Sequence, residues 1–246
     1  MPLQKYNIDK LNIFNKDADT VSQTIIDEYA RFLNAKRFPC IIARAALANQ
    51  QVRCMTAMDM ACHNDDLSIL HFLYDFIDEY IQSKAGYYSA VVIFKQPGKI
   101  TEALFEELMW KRLQALADLD AFSYPYDKRV NSDPMSKNFS FSIKGEAFYI
   151  IGLHRSSSRK ARQFNYPAIV FNPHAQFEKL RQINRYQKIK EIIRNRDIAY
   201  CGTVNPMLED FGKSSETFQY SGQRYSDQWK CPLNIKHVSD KDNTPT

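Results

Sequence analysis

Phe139-Ser140-Phe141-Ser142-Ile143-Lys144-Gly145-Glu146-Ala147-Phe148-Tyr149-Ile150-Ile151-Gly152-Leu153-His154 is the stretch whose reading decides the fold. Apolar and polar residues alternate from Phe139 to Ile143 and, less cleanly, from Ala147 to Ile151, with Lys144-Gly145 as a tight turn between them. That is the pattern of a β-hairpin. A hairpin implies antiparallel pairing, and its second strand delivers His154 to its C-terminal edge.

Working outward, Ala168-Ile169-Val170-Phe171 reads as a short strand that ends at Asn172-Pro173-His174, and Tyr88 to Phe94 as a strong one. Phe38-Pro39-Cys40-Ile41-Ile42-Ala43 predicts a buried strand opened by a proline, with Val52 to Met58 as its neighbour. Helical spacing recurs in four places: from Ser22, a plausible N-cap, through Leu33; from Ile69 to Ile81; over about 102–117; and from Phe177 to about Arg194 as one long helix with a basic outer face. Positions 118–137 are rich in turn residues and predict an irregular loop. From Cys201 to Asn234 aromatics and glycines alternate with polar residues, which predicts a long ordered wrap over the body.

The chain has 246 residues, 44% of them apolar, 13% aromatic and 25% charged, which is ordinary globular composition. No Gly/Ser/Pro-rich linker divides it. The expectation is an α+β fold in a single domain over 21–234, a mixed and mainly antiparallel sheet with flanking helices. A flexible arm (1–20) precedes it and a disordered tail (235–246) follows. Seven glycines, with no G-x-G-x-x-G and no Walker loop, argue against a glycine-lined nucleotide site. The five cysteines include no CxxC, no stretch reaches membrane-spanning length and no signal peptide opens the chain, so a cytoplasmic protein is expected.

Net charge is +5, yet eleven Lys/Arg lie between 155 and 196 against only Glu178 and Glu191. The basicity is local, and a local basic field serves a nucleic acid, a phosphate or a carboxylated cofactor. No base-reading or stacking module accompanies it, so nucleic acid is not the expected partner. His154 and His174 each follow an apolar strand, where a loop position lets a ring meet a ligand. Arg155, Arg159, Lys160 and Arg162 beside His154 suit an anionic group, and Ser156-Ser157-Ser158 adds hydroxyl donors or is simply a wet loop. Cys231-Pro232 is open to reading as a metal thiolate or as a buried thiol. Asp118, Asp120, Glu146 and Glu216 are the carboxylates available to a cationic substrate, and spacing does not choose among them.

Several blocks in one order carry a resemblance: Phe38-Pro39-Cys40; Phe105-Glu106, Trp110, Leu113-Gln114 and Leu116; Asp133-Pro134; Gly152-Leu153-His154 with Ser157-Ser158-Arg159 and Ala161-Arg162; Phe171-Asn172, His174 and Gln176-Phe177-Glu178; Asn205-Pro206-Met207-Leu208 with Phe211-Gly212; Ser215-Glu216; Gln219-Tyr220-Ser221-Gly222; and Trp229 with Cys231-Pro232. Over roughly 36–234 the chain resembles the YqcI/YcgG family, whose characterised members include haem proteins that N-hydroxylate arginine-like guanidines in the cycloserine and guanitoxin pathways. The resemblance implies haem b, dioxygen, an electron donor (a reductase or small reductant) and a small amine or guanidine substrate. It puts His154 on the iron, with His174 and Cys231 as reserve ligands and Arg155, Ser158, Arg159 and Arg162 around the cofactor. His174 and Glu216 are the catalytic candidates, His174 as a distal donor and Glu216 opposite the substrate. Arg155 departs from the family pattern, which more often has proline after the histidine, and adds a charge to the pocket wall. A homodimer is a candidate assembly. The rival expectation is a non-enzymatic binder of an anionic metabolite in the His154/Arg159/Arg162 pocket.

Overall fold

The computed structural model describes residues 19–83, 86–203, 211–226 and 228–237. Asp19, not Ser22, opens the first helix, α1 (Thr20–Asn34): its carboxylate accepts from the Ser22 amide at 2.6 Å, the usual work of an N-cap. Ser22 lies one turn in, buried, and its hydroxyl accepts from Thr56. The apolar run after Pro39 is a helix, α2 (Ile41–Ala48), rather than a strand. Four alanines between 43 and 48 extend it past strand length with the best helix former, and the Cys40 thiol caps it by accepting from the Ala43 amide at 3.4 Å.

Then come β1 (Val52–Asp59), α3 (Asp66–Gln82), β2 (Ser89–Gln96), α4 (Glu102–Asp120) and a turn-rich loop. β3 (Phe141–Ile143) and β4 (Glu146–Leu153) form the hairpin, with Lys144 and Gly145 both at positive φ (51° and 68°). A single 3-10 turn (Lys160–Arg162) leads to β5 (Ala168–Pro173), α5 (His174–Gln182), α6 (Tyr186–Cys201) and the short α7 (Thr217–Tyr220). The long helix expected to about 194 is thus two. Asn184 takes the left-handed conformation (φ 55°), and the amides of Asn184 and Arg185 reach back to the carbonyls of Arg181 and Leu180, which closes α5 in a Schellman motif.

The strands form one mixed sheet in the order β1-β2-β5-β4-β3. β1 and β2 are parallel, joined through α3, and the other three pairings are antiparallel. β1 therefore neighbours β2, not the 38–43 segment. The architecture is α+β, one sheet with flanking helices. Ile235 packs on the core and the buried His237 Nε2 lies 3.0 Å from Asp120 Oδ2, so the packed body passes the boundary drawn at 234. The expected arm over 1–18 and tail over 238–246 lie outside the described residues.

Strand alternation assigns every side chain to one of two faces. Phe148, Ile150, Ile169, Phe171, Val92 and Phe94 pack under α3 and α4 with Phe105, Met109 and Leu113. Ile151, Leu153, Ala168, Val170, Val91 and Ile93 face the other way, toward α1 and α2, with Ile25, Tyr29, Leu33 and Phe164. Each fully buried phenylalanine of the first cluster contributes about 1.5–3 kcal/mol by leaving water. Because β3 pairs only with Glu146–Phe148, the rest of β4 has no strand on its outer side among the described residues. Arg162 fills the gap from within: its buried guanidinium donates to the carbonyls of Gly152 (3.4 Å), Tyr220 (2.7 Å) and Gln219 (2.6 Å), tying α7 to β4.

Candidate functional site

The second face of the sheet carries a cavity of about 280 Å³, at the lower end of the range typical of small-molecule sites. Tyr149, Ile151, Leu153, Val170 and Asn172 form its floor from β4 and β5. Tyr29 and Leu33 of α1 and the Phe38–Ala43 corner form one wall, and α5 and α6 the opposite one. α6 turns a single stripe inward: Tyr186, Ile189 with Lys190, Ile193 with Arg194, and Asp197, the i, i+3/i+4 spacing of one helical face. Arg159, Arg162, Arg181, Lys190 and Arg194 supply five cations against two lining carboxylates, Asp197 and Glu216.

His174, on the first turn of α5, projects into this cavity and is only 6% exposed. Its Nδ1 lies 3.5 Å from Glu216 Oε1, and its Nε2 lies 3.2 Å from Glu178 Oε1. The two carboxylates differ in kind. Glu216 is buried, and its other oxygen accepts from the Ser140 hydroxyl at 2.9 Å. Glu178 is 40% exposed and already ion-paired with Arg181. Phe211 meets the imidazole edge-on, with ring centroids 4.4 Å apart.

His154 is elsewhere. Along β4 the odd positions 149, 151 and 153 face the cavity, so position 154 continues on the opposite side. There its ring stacks on Phe105 of α4 at 4.3 Å, fully buried, and neither ring nitrogen meets a partner among the described residues. Burial lowers its pKa to about 4, with Arg162 adding to the effect and Glu102 opposing it. A neutral imidazole shut behind the sheet does not line the cavity, and this is the point at which the residues put together from the sequence come apart. Arg155 and Ser158 do not line it either. Both are exposed, and Ser158 donates through its amide and hydroxyl to Glu102 at 2.9 Å. Arg159 and Arg162 do line it, but Arg159 is bound to Asp197 at 2.5 Å and Arg162 to the three carbonyls of β4 and α7.

Cys231 packs against the first core cluster, away from the cavity, and burial pushes its thiol up to about 12. Cys40, which the sequence places on a buried strand, lines the cavity. Burial raises its thiol and the amides of Ala43 and Ile42 offset this only in part, so it stays protonated at neutral pH. Of the residues singled out beforehand, the cavity brings together Arg159, Arg162, His174 and Glu216. It adds Tyr149, Phe177, Arg181, Lys190, Arg194 and Asp197. The signal for the α6 residues is the spacing of Ile189, Ile193 and their basic neighbours, whose charge reads as that of an outer face.

A single mixed sheet with a cation-rimmed, histidine-bearing cavity between it and the α5–α6 helix pair defines the class of the molecule. The profile of the YqcI/YcgG family matches residues 29–234, and the chain belongs to that family. It is 26% identical over 219 residues to the uncharacterized protein YcgG of Bacillus subtilis (strain 168), covering 85% of each chain. It is 27% identical over 216 residues to the uncharacterized protein YqcI of the same organism, covering 80% of this chain and 83% of that one. No solved structure matches it. No described helix is long and apolar enough to cross a membrane.

Proposed function

We propose that the chain is a haem-dependent oxygenase that N-hydroxylates a small amine or guanidine with dioxygen and external electrons, and that His174 is the residue that holds the iron. The supporting observation is the imidazole in the cavity with one nitrogen toward a buried carboxylate and the other toward an exposed one. A metal-ligating histidine ordinarily has its second nitrogen held by such a partner, which sets the tautomer and raises ligand basicity. Glu216 plays that part at Nδ1. At Nε2 lies Glu178, an exposed carboxylate also paired with Arg181, which would have to swing aside for that nitrogen to serve as the ligand.

The other residues fit the group. Tyr149, Ile151, Phe177 and Ile189 give an apolar slot, and Lys190 and Arg194 give cations for two propionates. α6 forms much of the outer wall with only Asp197 buried, so it is the wall most able to shift for a flat ligand. Bound haem supplies an iron on which dioxygen is activated at the expense of donated electrons. The chain's own share is to exclude bulk water and to keep the proton on His174 Nδ1 against Glu216. The five cysteines, all free, accord with a reducing cytoplasm.

A haemin titration of the purified protein tests this reading. Saturable growth of a Soret band is expected, with the imidazole rather than the thiolate signature in the ferrous carbon monoxide complex. Failure to bind would remove it and favour the second reading, an anionic metabolite held at the cationic rim of the same cavity, which phosphate or carboxylate titration would then show.

A further inference from the structure

Five aromatic rings run in contact from the cavity to the surface. Tyr149, on the cavity floor, lies 6.1 Å from Tyr220 between ring centroids. Tyr220 stacks on Trp110 at 5.9 Å, Trp110 meets Trp229 at 5.9 Å, and Trp229 stacks on Tyr225 at 4.0 Å. Tyr220 is fully buried, Trp110 nearly so, and Trp229 and Tyr225 are partly exposed. The path rounds the outer edge of β4 where β3 has stopped, which is why a residue of the cavity face reaches an indole under the opposite one.

All of these are tyrosine or tryptophan, the two aromatic side chains that give up an electron within reach of biological oxidants, and most have a carboxylate in place for the proton. Tyr220 Oη lies 3.4 Å from Glu216 Oε2. The Trp110 indole and the Tyr225 hydroxyl both donate to Glu106 Oε1, at 3.3 and 2.5 Å. Tyr149 donates to Gln219 Oε1 at 2.5 Å. A core built only for packing would be served as well by phenylalanine, without buried carboxylates beside the rings.

We propose that Tyr149, Tyr220, Trp110 and the Trp229/Tyr225 pair form a hopping relay that carries oxidising equivalents out of the cavity when no substrate consumes them. The proposal rests on the haem reading above. Tyrosine and tryptophan are oxidised only at high potential, so the relay serves an oxidised centre and not the reduction of resting iron. Reduction of hydrogen peroxide to two waters takes up two electrons and two protons, and the relay delivers them in two turns: in each, Tyr149 gives one electron together with its phenol proton to the oxygen being reduced. The tyrosyl radical left behind takes an electron from Tyr220 and a proton from water, Trp110 then reduces Tyr220, and Trp229/Tyr225 reduces Trp110. At each step one ring is oxidised and one restored. The Tyr220 proton moves to Glu216, and those of Trp110 and Tyr225 to Glu106, returning on re-reduction. A thiol or ascorbate in solution supplies the electron that restores the outer pair.

The experiment is freeze-quench electron paramagnetic resonance on the haem-loaded full chain mixed with hydrogen peroxide in the absence of amine, with a spin trap reporting radicals at the surface. A Trp229/Tyr225 radical and its surface adduct are expected. In Trp110→Phe the adduct should be lost and the signal should remain tyrosyl, with Trp229→Phe as a second block at a partly exposed site. A haem-loaded protein that shows no aromatic radical, or the same radical and adduct in both variants as in the native chain, overturns the relay and leaves the haem reading standing. A chain that does not bind haemin overturns both.

Discussion

Arg162→Met is expected to cost about 3–5 kcal/mol of folding free energy, the size associated with stripping one side of a buried charged interaction. The guanidinium is 7% exposed, and its donors go to the carbonyls of Gly152, Gln219 and Tyr220. Methionine preserves length and apolar stem but leaves those carbonyls short of donors at about 1–3 kcal/mol each where no water reaches. A domain of this kind has only about 5–15 kcal/mol to lose. Glu216, Gln219 and Tyr220 all ride on the segment that Arg162 pins, so the variant should also loosen the carboxylate from His174. Urea unfolding reads the loss directly, and a change below about 1 kcal/mol would mean that the clamp between β4 and α7 is not what holds the C-terminal segment.

The second large effect has the opposite sign. His154 is fully buried, its two ring nitrogens meet no partner among the described residues, and its pKa is lowered from 6.5 to about 4. The folded state therefore holds the neutral ring, while the unfolded chain takes up a proton near pH 6.5. The stabilisation tied to neutrality is complete above pH 6.5 and is lost progressively as the pH falls from there toward 4, amounting to roughly 3 kcal/mol across the window. His154→Leu removes that dependence and spares two buried polar atoms, so it should equal or exceed the native chain in stability at pH 7 and exceed it clearly near pH 4.5. The comparison is the difference between the two proteins in urea midpoint as a function of pH. A difference that stays constant from pH 7 to 4 would show that the ring is hydrated or charged in the fold.

The hairpin, β2, β5, α3 and α4 were legible in the sequence because each has an unbroken pattern and a physical stop, such as Lys144-Gly145 or Gly86. Phe38–Ala43 misled because six apolar residues look alike as strand and helix, and the alanines that settle the matter lie beyond them. The split of α5 from α6 turned on Asn184 accepting a left-handed conformation, which local composition does not announce.

The site was half legible for a comparable reason. His174, Glu216, Arg159 and Arg162 are brought to one cavity, but His154 was grouped with them by closeness along the chain, whereas strand parity sends it through the sheet. Residues 149, 151 and 153 share a face that 154 cannot share. The parity was readable, but which face bore the cavity depended on α6, whose inward stripe was masked by its charge. Asn205 to Leu208 of the family pattern lie outside the described residues.

The most direct measurement is a pair of haemin titrations, His174→Ala beside His154→Leu, followed at the Soret band. If the chemistry lies on the cavity face, the His154 variant binds haemin with the native spectrum and the His174 variant loses tight binding or changes its spectral class. Loss of the native spectrum in the His154 variant, with the His174 variant unaffected, would contradict the account and return the iron to the other side of the sheet.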